Sequence, residues 1–509
     1  MKQFLVIVMT LAAVTAFAQA GNVTVIDTNF ENGMDGWGPR GDNRQGLEKL
    51  EVTNAVKHGG SSALRVFNRT HEWQGATRKL AASAVGDMFS VEAWLYYKDG
   101  PSKITFVFST QKTSPSGQAY QNVLQTQANK GEWVQIKGEF TVAKDPTITD
   151  VQVYFETPKN DTVEFYLDDV KFVKLDPSLR PKAEVNIPNL RDKVPFDIGA
   201  AVSVDDVDFS SEWAQLLMKH FSILVAGNEM KRDTVEPSEG KYNWGPADKI
   251  VDFAMNTGNR VRWHTLVWHS QNPDWLFKGA GATKAGLDQR MKTYIQTVMR
   301  KYRGDVDSYD VVNEVLDENG KLRNSEWLRI IGPEYINNAF RYAREADPKA
   351  QLVINDYNLA SNPRKRQGMY DLVKDLKARG VPVDAIGMQM HIDIKNPSVS
   401  AIKETIELFA SLGVKVLVTE MDMSIYTSDT EPKKTVTPAI LQEQATRYRA
   451  IFDVFKEEYQ KKNLDAVVIW GTSDNLSWKN DFPTPGRTDA PLLFDSKLKR
   501  KPAFDAIVR

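Results

Sequence analysis

From about residue 190 to the C-terminus, short apolar runs alternate with longer amphipathic stretches, and few folds tolerate that rhythm. The runs fall at 196–202, 221–226, 261–267, 308–312, 351–354, 383–390, 415–419 and 466–469. Between them lie helix-type segments such as 247–255, 289–302, 333–346 and 441–459. Eight strand–helix units in roughly 320 residues predict an α/β fold, a closed (β/α)8 TIM barrel over 190–509. A doubly wound open sheet is the competing arrangement.

Residues 21–175 follow a different period. Segments such as Val151-Gln152-Val153-Tyr154-Phe155 alternate in steps of two and are separated by Gly, Asn and Asp clusters. That pattern predicts an all-β sandwich of the jelly-roll kind. The Pro-containing polar stretch at 176–189 reads as a linker. Ahead of both domains, Lys2, an apolar run over 4–17 and the small-x-small triplet Ala18-Gln19-Ala20 predict a signal peptide over 1–20. Cleavage near Ala20 and a secreted, extracellular or periplasmic protein are the corresponding expectations. The apolar run is too short to span a bilayer, and no membrane association is expected.

Composition removes several classes of function. The 65 Lys and Arg residues balance 66 Asp and Glu, for a net charge of −1, so nothing favours nucleic acid or an anionic surface. The absence of cysteine excludes disulfides, thiol catalysis and thiolate metal sites. His264 and His269 are poorly spaced as a metal pair. Gly36-Trp37-Gly38-Pro39-Arg40-Gly41 matches a GxGxxG pattern, but it follows no strand and contains a proline.

Side chains at the C-terminal ends of barrel strands converge on one mouth. The second run leads to Asn228 and Lys231, and the third carries His264 and continues to Trp268, His269 and Gln271. The fourth ends in Asn313 and Glu314, the fifth in Asn355-Asp356-Tyr357, and the sixth carries Gln389 and His391. The seventh ends in Glu420-Met421-Asp422 and the eighth in Trp470, with Trp478 in the following loop. His391, two positions from Gln389, should share its face. Indole rings stack on the apolar faces of sugars, while amides, imidazoles and carboxylates bond the hydroxyl edges. Glu314 and Glu420 are the candidate catalytic pair: retaining glycosidases need two carboxyl groups ~5–5.5 Å apart.

These segments resemble the signature blocks of family 10 glycoside hydrolases. The matching pieces are Trp263-His264-Thr265-Leu266-Val267-Trp268-His269-Ser270-Gln271, Asp310-Val311-Val312-Asn313-Glu314, Ile354-Asn355-Asp356-Tyr357, Gly387-Met388-Gln389-Met390-His391, Val418-Thr419-Glu420-Met421-Asp422 and Trp470-Gly471-Thr472-Ser473-Asp474. The resemblance implies a retaining endo-β-1,4-xylanase that needs no cofactor, has no metal in its catalytic site and acts on xylan, with a monomer as the expected state. It implies Glu314 as acid/base, Glu420 as nucleophile, and Asn313, His391 and Asp422 in support. His264, Trp268 and Gln389 would surround the sugar at the cleavage point. Asn228, Lys231, Gln271, Trp470 and Trp478 would grip the glycone, and Tyr357 the leaving-group side. A β-glucanase or a transglycosylase on the same barrel is the alternative, and a non-catalytic polysaccharide-binding protein a remoter one. One departure stands out: the family's Glu-Asn-x-Met-Lys block here reads Gly227-Asn228-Glu229-Met230-Lys231, so a carboxylate that normally binds sugar is missing.

The N-terminal region resembles family 22 carbohydrate-binding modules, through Gly36-Trp37, Asn68-Arg69-Thr70-His71-Glu72-Trp73-Gln74-Gly75, Val153-Tyr154-Phe155-Glu156-Thr157-Pro158 and Asp168-Asp169-Val170. That resemblance implies ligand contacts from Arg40, Trp73, Tyr120 and Glu156, and a structural calcium with Asp169 as its side-chain ligand.

Overall fold

In the computed structural model, the described residues are 21–40, 48–80, 87–115, 117–142, 147–160, 162–176, 181–209, 211–480, 482–484 and 487–509. The signal-peptide expectation for 1–20 lies outside them. The chain divides into two compact units, Met1–Arg180 and Pro181–Arg509.

The first unit holds two antiparallel sheets, one of six strands and one of five. Met88–Tyr97 shows why: alternate residues Phe89, Val91, Ala93, Leu95 and Tyr97 are buried, while their neighbours face outward. The inward side chains of both sheets, including Phe106, Phe108, Phe155, Phe165 and Phe172, form one core.

In the second unit eight parallel strands close on themselves: Asp197–Val202, Ile223–Ala226, Arg260–Trp263, Ser308–Asn313, Gln351–Asp356, Ala385–Met388, Lys415–Ser424 and Leu464–Ile469. Closure is direct, because Asp197 pairs with Ala466 on the eighth strand while Gly199 pairs with Ile223 on the second. The strands read as near-continuous apolar runs because both faces are covered, by the barrel interior and by the outer helices. The helix Pro438–Gln460 buries Tyr448, Ile451, Phe452 and Phe455 in this way. The open-sheet alternative is thereby excluded.

Two expectations need correction. Residues 181–189 are not a free linker: Ile187 joins the barrel core, and the Arg500 N–H donates to Glu184. The sixth strand also stops at Met388, because Met390 adopts φ 62°, and a new strand, His391–Asp393, pairs with the extended seventh. Regular alternation therefore does not carry His391 onto the face of Gln389; a left-handed residue between them re-aims it.

Candidate active site

Four strand ends meet around two carboxylates. Glu420 sits inside the seventh strand, almost fully buried. Its Oε1 accepts a hydrogen bond from Asn355 Nδ2 (2.8 Å), and its Oε2 lies 3.2 Å from His391 Nε2. Glu314 follows the fourth strand directly, at φ 55°, and is more open to the cleft. Its Oε2 accepts from the Trp268 indole N–H (3.0 Å), and its Oε1 from Gln389 Nε2 (3.1 Å) and Asn313 Nδ2 (3.4 Å). Asn355 Nδ2 also donates to Asn313 Oδ1 (2.9 Å). Two amide side chains thus span the distance from one carboxylate to the other.

Asn355 is held by a deliberate gap in the sixth strand. Thr419 Oγ1 donates to its Oδ1, and a Cβ on Gly387 would lie only 2.4 Å from that same oxygen. Glycine is required there by space rather than by backbone angle.

The charges around Glu420 hold it ionised. Burial alone would push the Glu420 carboxyl up, but the His264 and His391 imidazoles more than offset it and hold the group below the usual range. For His391, burial opposes the charged form, yet Asp422 (2.9 Å from Nδ1) and Glu420 outweigh it and push its pKa up to about 9. The imidazole is therefore a cation at neutral pH, donating to a carboxylate at each end. Trp478 Nε1 donates to the same Asp422 oxygen (2.7 Å), and its ring meets His391 edge-on. On the opposite side, His264 Nδ1 lies 2.9 Å from Asp310, which also pairs with Arg262. Burial raises Asp310, but Arg262 and His264 together lower it below its ordinary value.

The remaining expected side chains form the walls. Lys231 Nζ and Gln271 Nε2 both donate to Asn228 Oδ1, and the Lys231 ammonium lies over the Trp268 ring. Burial lowers the Lys231 pKa, opposed chiefly by Glu420. Trp470 stands edge-on to both His264 and His391. Tyr357 makes no hydrogen bond to the Glu314 or Glu420 carboxylate; Arg323 joins it to the Glu314 main chain. At Gly227 an added Cβ would have only Val202 O near it, at 3.5 Å, so contact at the Cβ does not require glycine there. Glu229 does not replace it, because its oxygens accept from the Val204 and Asn228 N–H groups.

Several contributors were not singled out from sequence. Asn355, Asp310, Gly387 and Thr419 lie within the quoted motifs, but their importance is a cross-strand contact. Arg262, Arg323 and Phe482, which stacks on Trp478, carried no recognisable signal.

In the N-terminal unit, Arg40 gathers the other expected residues. Its guanidinium donates to Glu156 (2.8 Å) and to the Trp73 carbonyl (2.6 Å), and lies over the rings of Tyr120 and Tyr154. Tyr120 is exposed. Burial raises Glu156 to about 7 against the pull of Arg40. Asp169, expected as a calcium ligand, is instead paired with His58 Nδ1 at 2.7 Å. Among the described residues no group of three or more His, Cys, Asp or Glu side chains is arranged to hold a metal ion.

Against this geometry the comparisons are unambiguous. Residues 189–509 match the profile of glycosyl hydrolase family 10, and the chain belongs to that family. Residues 22–162 match a carbohydrate binding domain, so a carbohydrate-binding module precedes the barrel. Endo-1,4-beta-xylanase C of Paenibacillus barcinonensis is 41% identical over 512 residues, covering 94% of this chain and 46% of that protein. A thermostable celloxylanase of Thermoclostridium stercorarium is 44% identical over 336 residues, covering 62% of this chain and 84% of the relative. The solved structure of a family 10 enzyme from Paenibacillus barcinonensis superimposes with TM-score 0.63 at 48% identity, covering 64% of this chain and 97% of that one. The chain spans less than half the length of the first of these relatives.

Proposed function

We propose that this protein is an endo-β-1,4-xylanase that cleaves xylan with retention, through a covalent glycosyl-enzyme. The observation that carries the reading is the pair Glu314 and Glu420, joined through Asn313 and Asn355, with Glu420 the more deeply buried of the two. Glu420, buried and held ionised by imidazoles, is suited to attack the anomeric carbon. Glu314, open to the cleft, is suited to give a proton to the leaving oxygen and later to take one from water. Asn313 would bond the 2-hydroxyl, and His391 with Asp422 would fix the nucleophile. The walls of Asn228, Lys231, Gln271, Trp268, Trp470 and Trp478 would hold the glycone, and Tyr357 the leaving sugar. Carboxylates and water suffice for this chemistry.

The N-terminal unit is read as a xylan-binding module of the family 22 type, contacting the chain through Arg40, Trp73, Tyr120 and Glu156. Residues 1–20 are proposed to direct export, which N-terminal sequencing of the mature protein tests. The celloxylanase relative keeps glucan as the second substrate to assay. Reducing-end release should be high on xylan, low on cellulose and absent in Glu420→Ala. Release by Glu420→Ala equal to the parent's would remove the assignment.

A further inference from the structure

Glu314 occupies a conformation that non-glycine residues adopt at a cost, at φ 55°. Something must hold it there, and its main chain is tied on both sides. The Glu314 N–H donates to Asn355 O (2.8 Å), and its carbonyl accepts from Arg323 Nε (2.8 Å). The same guanidinium extends Nη2 to Leu316 O (3.0 Å) and to the Tyr357 hydroxyl (2.8 Å). Arg323 also closes a loop on itself, since its N–H donates to Val315 O (2.7 Å). Beneath Tyr357, the fully buried Lys365 places its ammonium 3.2 Å from the ring centre and 2.9 Å from Asp356 Oδ1. Asp356 in turn accepts the N–H groups of Leu316 and Tyr357.

We infer that Arg323 is a positioning residue that locks the strained main chain of Glu314 and the hydroxyl of Tyr357 into one rigid unit, so that proton donor and leaving-group contact are set together. The inference rests on Glu314 being the acid/base. A planar guanidinium meets these three acceptors from two nitrogens fixed in one plane, whereas a lysine would have a single nitrogen to place among all of them. The lysine below fixes where the Tyr357 ring lies, while Arg323 reaches both its hydroxyl and the Glu314 carbonyl.

The role separates from general stability by choice of substrate. Bond cleavage in xylohexaose needs a proton from Glu314 and a sugar on the leaving side. The first step on a dinitrophenyl β-xylobioside needs neither, because dinitrophenolate leaves unaided. In Arg323→Met, kcat/KM on xylohexaose should fall roughly 10- to 100-fold, the scale of a small misplacement of a reacting group. On the aryl glycoside it should stay within about threefold, since the nucleophile is untouched. Arg323→Lys, which keeps charge and stem, should show the same split and serves if the methionine variant does not fold. An equal fall on both substrates, or none on either, would overturn the role of Arg323. A parent chain inactive on both would overturn the underlying reading, and the inference with it.

Discussion

Replacing His391 with asparagine removes the cation lying between Glu420 and Asp422 and leaves the rest of the mouth intact. In the parent, the imidazolium donates to Glu420 Oε2 at 3.2 Å in a largely buried pair. A hydrogen bond to a charged partner contributes roughly 1.5–3 kcal/mol, and a pKa shift of one corresponds to about 1.4 kcal/mol. The Glu420 carboxyl should therefore rise by roughly one to two pH units in His391→Asn, with the lower figure applying if water enters the gap. The sign follows from the mechanism: Glu420 must be ionised to attack, so the acid limb of kcat/KM moves to higher pH. Profiles on dinitrophenyl β-xylobioside isolate this effect, because that substrate does not need the acid. Substantial activity should survive at neutral pH, where the remaining Asn355 and His264 contacts still favour the carboxylate. An acid limb that stays where the parent's lies would refute the idea that His391 holds the nucleophile ionised.

Further outcomes follow from the same contacts. Because the folded His391 pKa is raised from 6.5 to about 9, its stabilisation is complete below 6.5 and is lost as pH rises through about 9. Thermal unfolding of the parent should therefore show an alkaline loss on the order of 3 kcal/mol that His391→Asn lacks. Asn355→Ala frees both Glu420 and Asn313, and kcat should fall roughly 100-fold, with circular dichroism reporting an unchanged barrel. Tyr120→Ala should weaken retention on insoluble xylan about fivefold, from the loss of roughly 1 kcal/mol of ring contact, with unaltered kcat on the soluble aryl glycoside.

Much of this architecture was legible because its signals are local. Eight apolar runs separated by helical stretches define the barrel without long-range information, and the mouth residues lie at the ends of those runs or in the loops just after them. The Glu314 and Glu420 carboxylates stood out for that reason. What the sequence hid is contact across strands. Asn355 looks like any strand-end amide until it is seen bonding Asn313 and Glu420 together. Gly387 looks like a break in a strand until an absent Cβ makes room for Asn355. Arg323 lies in a polar loop nine positions beyond Glu314, with nothing local to distinguish it from a solvated arginine. The φ of Met390 likewise has no sequence mark, yet it accompanies the turn that points His391 at Glu420. At 181–189, polar composition and prolines resembled a linker, while one apolar side chain, Ile187, anchors the segment to the barrel.

On the proposed mechanism Glu420 forms a covalent bond to the sugar. Incubation with dinitrophenyl 2-deoxy-2-fluoro-β-xylobioside, followed by peptide mass spectrometry, tests it directly, because the fluorine slows breakdown of the intermediate. One fluoroxylobiosyl group per chain is expected, carried on Glu420 and absent from Glu420→Ala. A label on Glu314, or turnover of xylan to products of inverted configuration with no label at all, would contradict it.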